Sequence, residues 1–214
     1  MLVYGGVSAS GAAHGLSKVS RAKAGKGSGV LGIVYIAGFL IPTGLNMDGM
    51  IGPPPYLVPN QVSAAFSFSH FPIFPRSSLV NYCTFQPSPG LCETNSPAEV
   101  FYHDLDSDAA ATMVQALEPQ ALGAFVTDAP PTAWQEPEYD GRLAYVRTTE
   151  DRAVPSFVQD VMMKKSQAKW LVKDIETSHS PFLSRPKELT GLILDCVDTF
   201  LSAGASRLAT SKLS

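Results

Sequence analysis

Cysteine is scarce in this chain of 214 residues: Cys83, Cys92 and Cys196 are its only three. Their odd number and wide spacing exclude a disulfide framework and offer none of the paired spacings of a zinc site. A reducing, cytoplasmic location without a bound metal is the expectation. Charge is sparse as well. Asp, Glu, Lys and Arg make up 16% of the residues and leave a formal net charge of -3, so there is neither a basic stripe for nucleic acid nor a polybasic anchor for a membrane surface. No long apolar run occurs. The longest, Val30 to Pro42, is interrupted by Gly32 and Gly38 and stops well short of the roughly 20 residues that span a bilayer. The N-terminus lacks the basic, apolar and cleavage regions of a secretory leader. No segment repeats.

What remains is a hydrophobic content of 45%, enough at this length to bury the core of one domain. Small-molecule chemistry or protein contact is left as the function, with no cofactor called for and no oligomeric state assigned. Met1-Leu2-Val3 runs directly into Gly5-Gly6, as though the chain began at the end of a strand, so the domain is expected to be incomplete at its front. Val7 to Ala24, with Lys18, Arg21 and Lys23 near its end, suits one helix with cations at its negative pole. Gly25-Lys26-Gly27-Ser28-Gly29 closes it. Val30 to Ala37 is continuous and apolar, the pattern of a strand buried on both faces of a parallel sheet.

From Phe39 to about Pro131 the pattern changes to proline-rich loops with two short helices, Pro97 to Leu105 and Asp106 to Leu117. Ser96, Pro97 and Glu99 form a capping signature for the first. Regular alternation then resumes with strand Arg142 to Thr148, helix Pro155 to Ser166, strand Trp170 to Ile175 and helix Pro186 to Ala203. In the last helix Leu189, Leu192, Ile193, Cys196, Val197, Phe200 and Leu201 recur at helical spacing as one apolar face. The fold class is therefore α/β, a mostly parallel sheet flanked by helices. Its core is divided into residues 1–44 and 132–214 by a helical and looped cap over 45–131. Within that cap, Val62 to Gly90 has no acidic residue, a single formal charge at Arg76 and no period, and is expected to be a structureless insertion.

Two polar residues stand at strand ends. Asp151 follows strand Arg142 to Thr148 and precedes the helix opening at Pro155; His179 lies a few residues past Ile175, in the equivalent place one unit later. In open parallel sheets, working groups sit outside the carboxyl ends of the strands. Neighbouring strand ends can bring a carboxylate against an imidazole, fix its tautomer and stabilise its cation. Taken singly, an Asp here also serves as a helix cap and a His as a surface turn residue. His14, His70 and His103 show no partner pattern and are expected to be solvated.

The order of elements, together with Val30 to Pro42, Thr149-Glu150-Asp151-Arg152-Ala153-Val154-Pro155 and Ser178-His179-Ser180-Pro181-Phe182-Leu183-Ser184-Arg185-Pro186, resembles the α/β-hydrolases, in particular the fungal branch of the group holding plant methylesterases and hydroxynitrile lyases. The likeness covers nearly everything outside 62–90. It implies a Ser-Asp-His triad in chain order, with the serine on a sharp strand-to-helix turn. Asp151 and His179 match two members. The turn that should present the serine reads Leu2-Val3-Tyr4-Gly5-Gly6, which puts Val3 in its place and Tyr4 where one oxyanion-stabilising amide is expected. Valine has neither a proton to give up nor a lone pair to attack with. Ser8 and Ser10, in the helix beyond, lack the strained turn that exposes a nucleophile.

The same resemblance implies earlier strands and an oxyanion loop ahead of Met1. Their lack would leave sheet edges open. It also implies a pocket under the cap for a small apolar or aromatic ester or lactone, lined by Tyr102, Phe125 and Trp134, whose rings equally suit a packed core. Two functions follow: an ester or lactone hydrolase, or a lyase on the same scaffold, with His179 as base oriented by Asp151; or a non-catalytic small-molecule-binding or degraded paralogue. Removing 62–90 joins Pro59-Asn60-Gln61 to an ordinary cap sequence at Leu91, and Gln61-Val62-Ser63 can be encoded as an intron donor. A retained intron and a misplaced start in the gene of an active fungal hydrolase are therefore expected.

Overall fold

The computed structural model describes residues 4–47, 50, 83–85, 90–121 and 123–210. Its centre is a parallel sheet of three strands, β1 (Ile33–Ile36), β5 (Leu143–Thr148) and β6 (Leu171–Ile175), in the order β1-β5-β6. Ile33 pairs with Leu143 on one side of β5, and Thr148 with Ile175 on the other. A second, antiparallel sheet comprises β2 (Cys83–Phe85), β3 (Leu91–Thr94) and β4 (Gln120–Ala121). Among the described residues the α-helices bounded at both ends are, in chain order, α1 (Gly5–Ala13), α2 (Lys18–Lys23), α3 (Pro97–Phe101), α4 (Ser107–Gln115), α5 (Gly123–Val126), α6 (Ser156–Ser166), α7 (Pro181–Ser184) and α8 (Pro186–Thr210). None among the described residues is long and apolar enough to cross a membrane.

Side chains alternate across a strand, so β5 feeds two cores. Leu143 and Tyr145 face a large cluster with Val7 of α1, Val158 and Met162 of α6, and the aromatics Tyr35, Phe39, Phe125, Trp134 and Tyr139. Ala144 and Val146 face the other way, against Cys196, Phe200 and Leu189 of α8. Helices thus cover both faces, as a parallel sheet requires. Burial pushes the Tyr35 phenol up to about 12 and that of Tyr145 well above its ordinary value. Both therefore remain neutral donors, to the Gly6 and Gly38 carbonyls at 3.1 and 2.9 Å.

Arg147 is the polar exception in β5. Its guanidinium forks onto Asp174, its partner across the β5–β6 ladder, at 2.8 and 2.9 Å, and reaches Asp160 of α6 at 2.6 Å. A bidentate cross-strand pair of this kind pins the register.

Several expectations fail at single residues. The helix foreseen over Val7 to Ala24 is two helices, because Gly15 turns with φ +71° and Ser17 caps α2 by accepting from Ser20 N at 3.0 Å. The strand foreseen from Val30 to Ala37 is shorter and only half-buried. It pairs with β5 on one side and borders a half-open cleft. Ser96 does not cap α3 with its side chain: it holds a left-handed φ of 51°, its carbonyl accepts from Glu99 and Val100, and the Glu99 carboxylate pairs with Arg152 instead.

The α8 stripe is also narrower than expected, since Leu201 is half exposed while Cys196 and Phe200 are buried. Most of 62–90 lies outside the described residues. Its portion 83–85, foreseen as structureless, forms β2, pairing Cys83 with Thr94 and Phe85 with Cys92.

Close packing of α8 on the sheet depends on Gly32. A Cβ there would strike the Phe200 ring and lie 2.7 Å from the Arg142 carbonyl. Gly32→Ala is expected to destabilise the fold by about 1–3 kcal/mol, the usual effect of overpacking, read as a lowered midpoint in urea unfolding. An unchanged midpoint would mean that α8 does not sit against the start of β1.

Candidate active site

Parallel pairing of β5 with β6 makes both strands end on the same side. Beyond their ends the ladder continues, with Thr149 N donating to the Ile175 carbonyl at 3.0 Å and Glu150 N to the Thr177 carbonyl at 3.2 Å. The two following loops therefore run side by side, and they bring Asp151 and His179 together: Nδ1 of the imidazole lies 2.7 Å from Asp151 Oδ2.

The carboxylate is fully buried, with no side-chain exposure, and the imidazole nearly so. A buried carboxylate needs donors on its lone pairs. Asp151 Oδ1 accepts from the amides of Ala153 and Val154, each at 2.8 Å, and Oδ2 accepts from Thr148 Oγ1 at 2.8 Å and from the imidazole. An ionised carboxylate only accepts, so Nδ1 donates to it, and a ring with its single proton there presents a lone pair at Nε2. Nε2 is buried and has no hydrogen-bond partner among the described residues. The same is true of Thr177 Oγ1 and Ser180 Oγ on the same loop. A buried imidazole with its proton side engaged and its lone pair open is arranged to take a proton from a group brought to it.

Two supporting residues escaped sequence reading. Gln159 of α6 is completely buried and threads the Asp151 loop. Its amide donates to the Thr148 carbonyl at 3.0 Å, to Thr148 Oγ1 at 3.1 Å and to the Val154 carbonyl at 2.7 Å, and its oxygen accepts from Thr148 N at 3.3 Å. A glutamine at a helical core position was the available signal, since an apolar residue is the ordinary occupant. Phe101, at the end of α3, sets its ring 5.6 Å from the imidazole, and nothing local in the sequence points to that contact.

Of the other residues singled out, Val3 lies outside the described residues. Tyr4 occupies the N-cap of α1, half-buried, its carbonyl accepting from Val7 and Ser8. Burial pushes its phenol up. Ser8 is exposed, and Ser10 is buried with its hydroxyl accepting from Ala133 N at 3.0 Å, which makes it a packing contact. Tyr102 is buried beside Phe101, their rings 5.9 Å apart. Phe125 and Trp134 are buried members of the large core cluster.

A cleft of about 170 Å³ opens between α1 and β1, lined by Gly5, Gly6, Ala9, Tyr35 and Gly38 among others. His14 is half-exposed near Glu136 at 3.7 Å. His103, expected to be solvated, is half-buried with a buried, unpartnered Nδ1 among the described residues, while His70 lies outside them. No cluster of three or more His, Cys, Asp or Glu able to hold a metal occurs among the described residues.

Comparison with known proteins follows the same lines. Residues 4–191 match the model of a family described as the alpha/beta hydrolase family. Among solved structures, the chain is similar to a pyrethroid hydrolase from Sphingobium faniae, with a TM-score of 0.58 and 19% identity over 92% of this chain and 68% of that one. It is also similar to polyneuridine aldehyde esterase, with a TM-score of 0.53 and 16% identity over 90% and 68%. At these identities the likeness is one of fold. No curated protein sequence matches the chain.

Two outcomes are expected from this geometry. Gln159→Leu strips partners from buried groups of Thr148 and Val154 and should destabilise the protein by about 3 kcal/mol, measured by chemical denaturation; a loss within about 0.5 kcal/mol would show that the loop does not need the glutamine. In Asp151→Asn the amide keeps one oxygen for the Ala153 and Val154 amides and turns its NH₂ to the imidazole, so His179 should switch to the Nε2–H tautomer. Imidazole ¹⁵N shifts report this directly, and an unchanged tautomer would contradict the assigned direction of the bond.

Proposed function

Since this chain belongs to the alpha/beta hydrolase family, we propose that Asp151 and His179 are the acid–base half of a site for carboxylic esters or lactones, and that Val3 deprives that site of its nucleophile. The observation carrying the first half is the 2.7 Å bond to a fully buried carboxylate that already accepts from three other donors, with Nε2 left open. In such a site Nε2 takes the proton of a hydroxyl as its oxygen attacks the acyl carbon, Asp151 stabilises the imidazolium, and the proton then passes to the departing alkoxide. The Phe101 ring beside the imidazole, with Tyr102 packed against it, favours a small apolar or aromatic acyl compound. Two solved structures of like fold are named as a hydrolase and an esterase, which is consistent with that class.

The second half rests on the side chain at position 3. Valine cannot form an acyl-enzyme, and loss of a triad serine lowers turnover by about 10⁶ in a studied protease. As written, the chain is an inactive member that retains the means to bind its substrate class, a non-catalytic paralogue. Treatment of the purified protein with a fluorophosphonate probe, together with p-nitrophenyl ester turnover, tests both halves. The wild type should stay unlabelled, Val3→Ser should gain labelling, and Val3→Ser with His179→Ala should lose it again. Labelling of the wild type that His179→Ala abolishes would overturn the inactive assignment; labelling of Val3→Ser that survives His179→Ala would overturn the role of the imidazole.

A further inference from the structure

The loop bearing His179 is held from outside the parallel sheet. Asp104, in the turn after α3, accepts from the Ser178 amide at 2.9 Å through Oδ2, and the Ser178 hydroxyl donates to the Phe101 carbonyl at 2.9 Å. Ser178 is completely buried, so its amide has to find a partner within the protein. Phe101, bound through its carbonyl, sets its ring beside the imidazole at a tilt of 47°. One residue of backbone separates the Ser178 amide from His179, and a shift of that peptide moves the ring relative to Asp151. In the middle of the same short helix, Glu99 pairs with Arg152, next in chain to Asp151. The stretch 99–104 therefore touches both loops of the pair, although it lies far from each in sequence.

Strand ends alone place the two loops side by side, but they do not set the angle of the imidazole. A hydrogen bond to 2.7 Å with a carboxylate demands that angle. We propose that Asp104 is a positioning residue for His179, holding the Ser178 peptide so that Nδ1 meets Asp151 and Nε2 faces the acyl compound. This deepens the acid–base assignment of Asp151 and His179 and rests on it. Burial pushes the Asp104 carboxyl up, but hydrogen bonds with Ser178, Ser184 and its own backbone together outweigh that and hold it below the usual carboxylate range, so it is ionised at neutral pH. An anion at this place strengthens the bond from the amide and fixes the turn that carries Phe101.

The test uses the full 214-residue protein and reads the imidazole rather than turnover. With ¹⁵N-histidine, the wild type should show a far-downfield Nδ1 proton from His179 and slow carbethoxylation of its Nε2, followed by mass spectrometry of the His179 peptide. Asp104→Ala should lose the resonance and accelerate carbethoxylation about tenfold, with a retained cooperative melt, while Asp104→Asn, whose oxygen still accepts from Ser178, should keep both signatures. If Asp104→Ala does not fold, Asp104→Glu, which keeps the charge but displaces the oxygen, should lose the resonance in its place. Absence of the resonance in the wild type would overturn the Asp151–His179 pair itself, and this proposal with it. Its persistence in Asp104→Ala or Asp104→Glu, with the wild-type signal present, would overturn the role of Asp104 alone.

Discussion

A carboxylate removed completely from water sits at the end of β5, and the neighbouring structure is organised by the need to satisfy it. Transfer of such a charge into a protein interior is unfavourable by several kcal/mol unless its lone pairs meet donors in good geometry. Asp151 meets four, from the Thr148 hydroxyl, the Ala153 and Val154 amides, and the His179 ring. The two amides require the chain to turn back within three residues of the aspartate. The hydroxyl requires that Thr148 point into the loop, and Gln159 holds Thr148 there from α6. The imidazole requires the loop after β6 to lie alongside. One anion thereby fixes the conformation of two loops and the choice of a polar residue in an otherwise apolar helix face.

That local demand is compatible with the larger architecture because the parallel sheet is asymmetric. One face carries bulky aromatics, with Tyr35, Tyr145 and Trp170 in mutual contact. The other carries Ala144 and Val146 against Cys196 and Leu189 of α8, with Gly32 giving space to Phe200. The long α8 approaches closely on the face that carries Gly32, while α1 and α6 cover the aromatic one. The strand ends, rather than either face, remain as the place where polar groups gather. The connection between β1 and β5 reaches that place through α3 and its following turn. Among the described residues, Asp104, Phe101 and Glu99 attach it to the two loops.

Legibility in the sequence followed the strength of local patterning. The elements β5, α6, β6 and α8 were readable to within a few residues at most ends, because buried strands and amphipathic helices alternate there with short loops. Asp106 was readable at the start of α4 and does cap it, accepting from Ala109 N at 2.9 Å. Ser96 and Glu99 looked equally suited to a cap. A left-handed backbone at Ser96 and a competing partner at Arg152 took them elsewhere, and neither is visible in five residues of text. For Phe125 and Trp134 the sequence left a core and a pocket wall equally open, because an aromatic ring reads the same in both; the fold buries each in the large cluster.

From its order of residues alone, this chain sets where its strands end and which polar side chains stand just beyond them, since periodicity and turn chemistry act over a few neighbours. It also sets valine at position 3, a side chain that carries no hydroxyl. Only the tertiary structure decided that the two strand ends are adjacent, that Gln159 is spent on the aspartate's loop, and that Asp104 meets the amide before His179. Those contacts join residues up to 74 positions apart. They depend on how sheet, helix and connecting segment pack in three dimensions, and no local pattern encodes that.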